Sequence, residues 1–169
     1  MDFTIIQGDI ANEAADCLVN AAGTSLAMGS GVAGALRTAA NGPINEAAVA
    51  QGPIPLGDVA VTEAFDLLAR WVIHAAAMPH YGDGRATEDS IRDAVRNSLA
   101  KADDLGCTSL VIPPLGCGIA GFDLATGARL ILEEIAAFRP RRLRQVRLIV
   151  YRPEDQQIAE AVARQVREG

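Results

Sequence analysis

The amino-acid sequence predicts an α/β domain, a sheet covered by helices on both faces, and three observations carry that prediction. Strand-like apolar runs alternate with amphipathic helical patterns along all 169 residues. Twice a buried run gives way to a glycine loop and then resumes as a helix, once after Asn20 and once after Ile112. No Ser/Gly/Pro-rich linker or block of like charge divides the chain, which predicts a single domain over residues 1–169.

The elements follow in order. Phe3 to Ile6 is the first strand, and it runs into Gln7, Gly8, Asp9 and Ile10. A carboxylate therefore stands at its C-terminal edge, where open α/β sheets bind ligands. The simpler role of Asp9 is to cap the turn that follows. Asp16 to Asn20 is the second strand, continued by Ala21, Ala22 and Gly23. The glycine loop Met28, Gly29, Ser30, Gly31 and Val32 comes next, then a small-residue helix from Ala33 to Ala40 stopped by Asn41, Gly42 and Pro43. A short helix over 44–51 precedes strands over 58–62 and 71–76. His74, mid-strand among apolar neighbours, reads as a hydrogen-bonded core histidine, whereas His80, in the turn-rich stretch 78–84, is free to approach a pocket.

Thr87 opens the clearest helix, with acids in its first turn, Ile91, Ala94, Val95, Leu99 and Ala102 on one face, and Gly106 as its stop. Residues 109–112 form the strand on which the chain is organised, and it breaks into Gly116, Gly118 and Gly121. Glycines permit positive φ and close backbone approach, so successive amides can converge on a phosphate or diphosphate beside the positive end of the next helix. Alone, this spacing equally spells the G-x-G-x-x-G of dinucleotide-binding folds, or plain turn glycines. The earlier glycine loop makes two that can sandwich one diphosphate. Asp123 is placed to cap a helix carrying Leu124, Ala128, Ile131, Ile135 and Phe138 inward, ended by Pro140. The last strand, 146–151, closes on Tyr151, either a core-edge ring or a platform for a stacked base. Pro153 starts a terminal helix with Ile158, Ala161, Val162 and Val166 on one face.

Bulk properties bound the function. The formal charge is −6 and Lys101 is the only lysine, so the surface repels nucleic acid at long range. The arginines at 139, 141, 142, 144 and 147 accordingly read as a solvated connection rather than a nucleic-acid patch. An anionic ligand would have to be held largely by backbone amides and helix ends. Cys17, Cys107 and Cys117 are odd in number and lack a C-x-x-C pair, which argues against a disulfide framework or a cysteine zinc site and fits a reducing cytoplasm. No stretch has the length of a membrane span, and residues 1–4 carry no basic leader. The reading is a soluble cytoplasmic protein with no metal, cofactor or membrane partner.

Five ordered motifs carry a family resemblance over essentially the whole chain: Gln7 to Ile10; Asp16 with Val19 to Ala22; Gly29 to Ala35; Val72 to Ala75; and Pro114 to Phe122. Together they resemble the macro domain. The resemblance implies a three-layer α/β/α sandwich around a mixed sheet of about six strands. It implies binding of ADP-ribose or its derivatives, including O-acetyl-ADP-ribose and ADP-ribosyl groups on proteins, with the oligomeric state, a monomer or otherwise, left open. On it, Asp9 accepts from the adenine amine with the Ile10 amide nearby, and Tyr151 stacks on the adenine. Gly29, Ser30, Gly31 and Val32 wrap the diphosphate together with Pro114, Leu115, Gly116, Cys117, Gly118, Ile119, Ala120, Gly121 and Phe122. Asn20 lies near the distal ribose and is the implied catalytic side chain. The G-x-G-x-x-G is demoted, since a dinucleotide fingerprint expects an acid about twenty residues on, where this chain has Arg141 and Arg142.

Departures bear on catalysis. Family members that hydrolyse ADP-ribosyl or acetyl esters often carry a second Asn after Asn-Ala-Ala and an Asp after Gly-Gly-Gly-Val, where this chain has Gly23 and Ala33. Ala120 stands where many members have an aromatic ring. Two readings remain: a binding module with little turnover, and an ester hydrolase in which a ligand phosphate, Asn20 and His80 serve the water. Cys117 has no base identifiable in the sequence and reads as a small loop residue rather than a nucleophile.

Overall fold

Uninterrupted apolar pairs such as Leu18-Val19, Val111-Ile112 and Leu148-Ile149 are buried on both sides, and they build the middle of one six-stranded sheet. The computed structural model describes residues 1–80, 83–118 and 121–169. The strands are β1 (Thr4–Gln7), β2 (Cys17–Gly23), β3 (Val59–Glu63), β4 (Trp71–Met78), β5 (Ser109–Ile112) and β6 (Gln145–Val150). Their spatial order is β1-β6-β5-β2-β4-β3. Every neighbouring pair is parallel except β3 with β4, so the sheet is mixed. The edge strand β3 alternates half-buried and buried residues over 59–62, the pattern of a strand covered on one face.

The helices are α1 (Gly31–Ala40), α2 (Ile44–Val49), α3 (Glu88–Asp104), α4 (Leu124–Ala137) and α5 (Pro153–Glu168), with a 3₁₀ turn at Ile10–Asn12. They divide between the two faces by strand periodicity. Cys17, Val19, Leu110, Ile112, Leu148 and Val150 point into the core shared with α3, α4 and α5. Leu18, Val111, Ile149 and Val72 point the opposite way, toward Leu36 of α1 and Ile44 of α2. The result is the three-layer α/β/α sandwich.

Helix signals fall where the sequence predicts them. Thr87 caps α3 in a reciprocal pair with Ser90, at 2.9 Å for Ser90 N–H to Thr87 Oγ1 and 2.8 Å for Thr87 N–H to Ser90 Oγ. Pro153 stands at the start of α5, where its missing N–H costs nothing. Asp123 occupies the cap position of α4 but makes no side-chain cap bond; its carbonyl accepts from the Gly127 amide at 3.0 Å.

β2 continues through Gly23, because Ala21 and Ala22 stay in register with Ala75 and Ala76 of β4. Three expectations are corrected. Gly31 and Val32 belong to the first turn of α1, not to the loop before it. Ile158 is exposed, since α5 turns Ala159, Val162 and Ala163 inward instead. Cys17 and Cys107 form a disulfide, with Cα atoms 6.6 Å apart across 90 residues of sequence. Their burial beside each other at the starts of β2 and β5 is a tertiary fact that cysteine spacing does not carry. Among the described residues, no helix is long and apolar enough to cross a membrane.

The arginine-rich connection is held as structure. Asp103 at the end of α3 accepts the amides of Arg141, Arg142 and Leu143 at 2.7–3.2 Å. Burial alone would raise this carboxyl, but the three amides outweigh it and hold it below the usual carboxylate range. Arg147 reaches the Ala14 carbonyl at 2.6 Å and Glu13 at 3.5 Å.

Candidate functional site

Five parallel strands send their C-terminal ends to one edge of the sheet. From β2 the chain crosses to α1 on one face, while from the adjacent β5 it crosses to α4 on the other. A split between neighbouring strands of this kind opens a crevice, the place where open α/β sheets take ligands. β1 and β6 diverge in the same way, β1 into the 3₁₀ turn beside α1 and β6 into α5. Asp9, Tyr151, the 113–122 loop and the 24–30 loop thus share one edge.

The first loop is clamped from behind. The Met28 amide donates to Asn45 Oδ1 at 2.8 Å, and Arg37 Nη1 donates to the Met28 carbonyl at 3.3 Å. In front it is open: no atom stands within 4 Å of where a Cβ would lie on Gly29 or Gly31, and Gly31 has φ +61°. α1 begins here with no side-chain cap from Ser30 and no acid in its first turn, whereas α3 begins with Glu88 and Asp89 and α5 with Glu154 and Asp155. The first-turn amides of a helix have no acceptor within it, so this end keeps its positive field and its free donors.

The second loop folds on itself. The Cys117 amide donates to Pro114 O, Gly118 to Phe122 O, Gly121 to Gly118 O and Phe122 to Gly116 O, at 2.9–3.2 Å. These four amides are paired within the loop. Gly116 has φ +71°, and a Cβ there would stand 2.7 Å from Ile91 of α3 and 3.0 Å from Ala86. Leu115 is fully buried and anchors the loop, while Pro114 and Phe122 are half-buried. Ile119 and Ala120 lie outside the described residues. The Cys117 thiol sits against Gly127 and the Leu115 carbonyl, and burial, then the Asp123 charge, push its pKa up to about 12. A thiol pushed up in this way stays protonated near neutral pH, which disfavours it as a nucleophile.

Asp9 does what a strand-end acid does locally: Oδ1 accepts from the Ala11 amide at 2.9 Å and caps the 3₁₀ turn. It also lines an open cleft of about 780 Å³ with Asn12, Gly29, Gly31 and Ala35. The Ile10 side chain is buried beneath. Tyr151 is 74% exposed just past β6, its carbonyl held by Gln7 Nε2 at 2.7 Å, so the whole ring is presented.

Asn20 is fully buried, and its Nδ2 lies 3.0 Å from His74 Nδ1, while His74 Nε2 lies 2.9 Å from Thr62 Oγ1. Asn20, His74 and Thr62 form a polar row across β2, β4 and β3 under the α1 layer, and Asn20 Oδ1 finds no partner among the described residues. Burial pushes His74 down to about 4, keeping the imidazole neutral. The two positions that depart from the family pattern are equally specific. Ala33 is buried in the core, and a Cβ on Gly23 would stand 3.1 Å from the Pro79 carbonyl.

The fold and this edge define a three-layer α/β module with a glycine-lined crevice at a strand-divergence point. The chain belongs to the Macro domain family, whose model matches residues 19–131. It is 35% identical over 161 residues to an O-acetyl-ADP-ribose deacetylase of Escherichia fergusonii, with 91% of this chain and 90% of that protein covered. It is 36% identical over 156 residues to an uncharacterized protein of Sulfolobus acidocaldarius, covering 89% and 84%. Its structure is similar to a variant of the Oceanobacillus iheyensis macrodomain with ADPR, at TM-score 0.88 and 25% identity, covering 98% of this chain and 93% of that one.

Proposed function

We propose that this chain binds ADP-ribose and its derivatives, free or carried on a protein, in the crevice between β2 and β5. The observation that carries the reading is the open start of α1. Uncapped amides, an acid-free first turn and empty space over Gly29 and Gly31 offer an anion-binding surface in a protein with excess negative charge. Family membership and the likeness to a macrodomain with ADPR give that anion its chemistry. The diphosphate lies between the start of α1 and the second glycine loop, and the adenine between Asp9 and the Tyr151 ring.

Calorimetric titration with ADP-ribose tests the reading, and absence of saturable heat rejects it. Asp9→Ala weakens binding by about 1–3 kcal/mol if the carboxylate accepts from a buried amine. An affinity equal to the parent's removes Asp9 from the site.

A second reading, hydrolysis of O-acetyl-ADP-ribose, is favoured by the similarity to the E. fergusonii deacetylase. Against fast turnover stand Gly23, which has no side chain, and Ala33 and Asn20, which are buried. Positioned acid-base groups typically contribute about 10²–10⁴ in rate. Product analysis after adding O-acetyl-ADP-ribose to the titrated sample decides between a reader and an enzyme.

A further inference from the structure

At the end of the crevice at β2 and β4, positions 23 and 33 carry no polar side chain, and the backbone of His80 lies beside Gly23. Pro79 and His80 close directly over Gly23: the Pro79 carbonyl lies 3.1 Å and the His80 Cα 3.6 Å from where a Cβ on Gly23 would stand. The His80 amide donates to Thr24 Oγ1 at 3.1 Å, which pins this backbone to the residue after β2. The other end of the same β4–α3 connection reaches the second loop, where Ala86 stands 3.0 Å from a Cβ on Gly116. The connection therefore touches the ends of both strands that flank the crevice, and His80 is its exposed ionisable residue beside β2.

No charge from β2 or its loop competes there, since residues 23–28 are all uncharged. On its own turn the nearest acid is Asp83, whose amide donates to the His80 carbonyl at 2.9 Å. Arg85 lies further along the connection. At the start of α3, Glu88 is tied to Arg92 at 3.1 Å and Asp89 follows it. The chain's other histidine, His74, is fully buried between Asn20 and Thr62.

We propose that His80 is the acid-base group of this crevice, contacting the terminal ribose of a bound ADP-ribose derivative and serving ester cleavage in place of the side chains absent at Gly23 and Ala33. The proposal rests on the ADP-ribose reading above. In the step it serves, a water oxygen bonds to the acyl carbon while the imidazole takes the water proton. The tetrahedral intermediate then breaks its bond to the ribose oxygen, which receives that proton from the imidazolium. Acetate and ADP-ribose leave, and the acid formed gives its own proton to solvent.

The test uses the intact protein and one NMR titration with ADP-ribose, following backbone amides of Gly29 to Ala33 together with the imidazole resonances. The chain has two histidines, so a His74→Gln variant assigns the remaining imidazole resonance to His80. The expected result is that the His80 resonance moves with the α1 amides. Amides that move while the imidazole stays still overturn the proposal and leave the binding reading intact; amides that do not move reject the binding reading itself. With O-acetyl-ADP-ribose, His80→Gln is expected to lower kcat about 10²-fold or more, a larger factor than its loss of ADP-ribose affinity. A parent without turnover, or a variant with unchanged kcat, overturns the catalytic role.

Discussion

The carbonyl oxygen of Gly116 stands where a side chain on Gly121 would have to begin. The second loop is closed by that contact and by the Phe122 amide on the same oxygen at 2.9 Å. Gly121→Ala must push the loop apart, and overpacking of this kind costs about 1–3 kcal/mol. Gly29→Ala meets only open space. Thermal unfolding should therefore separate the two: the first variant melts lower, whereas the second keeps the parental Tm within about 2 °C and loses ADP-ribose affinity. Equal melting curves for all three proteins would contradict the loop geometry.

Acid should weaken the protein in two stages. His74 has its pKa depressed to about 4 by burial, against 6.5 for an ordinary imidazole. Between those values the unfolded chain binds the proton more readily, so stability rises with pH across that window and is lost as pH falls from about 6.5 toward 4. The full window corresponds to about 3 kcal/mol. Below it Asp103 and Asp16, held low by backbone amides, lose theirs in turn as they protonate. Urea unfolding at pH 7, 5.5 and 4.5 tests this, with His74→Gln expected to flatten the slope above pH 4.5. A parent whose stability is level from pH 7 to 4.5 refutes the neutral buried imidazole.

The Cys17–Cys107 bridge closes 90 residues of chain. Such a cross-link typically contributes about 2–4 kcal/mol by restricting the unfolded chain. For a chain of this size that is a Tm shift of roughly 5–15 °C. Thiol titration of the denatured, unreduced protein should count one free sulfhydryl, Cys117, and prolonged reduction should lower Tm. Three free thiols in the protein purified without reductant would mean that the bridge does not form.

Much of this was legible in the chain because the informative residues act locally. Thr87 and Ser90, Gly106, Pro153 and the apolar runs are each decided within a few residues, and their elements stand where the pattern puts them. His74 was legible as a core group, for an imidazole amid seven apolar strand neighbours has to be satisfied by cross-strand partners. What the sequence could not carry is adjacency. That β5 lies beside β2, and so joins Cys17 to Cys107, depends on strand order; that Asn20 meets His74 depends on β4 being the other neighbour of β2. The internal bonds of the second loop were hidden for a similar reason. Gly121 serves a close return of the backbone to Gly116, a contact between residues whose spacing alone does not show it.

The two walls of the crevice hang from helices in opposite layers, each bedded in its own core, with the sheet between them. Their spacing is set by how far α1 and α4 stand from β2 and β5, and so by the thickness of two packed layers rather than by a hinge. A guest at this edge meets a fixed gauge. A mutation that thins one core, such as Leu36→Ala beneath α1, would reset the gauge without touching any lining residue.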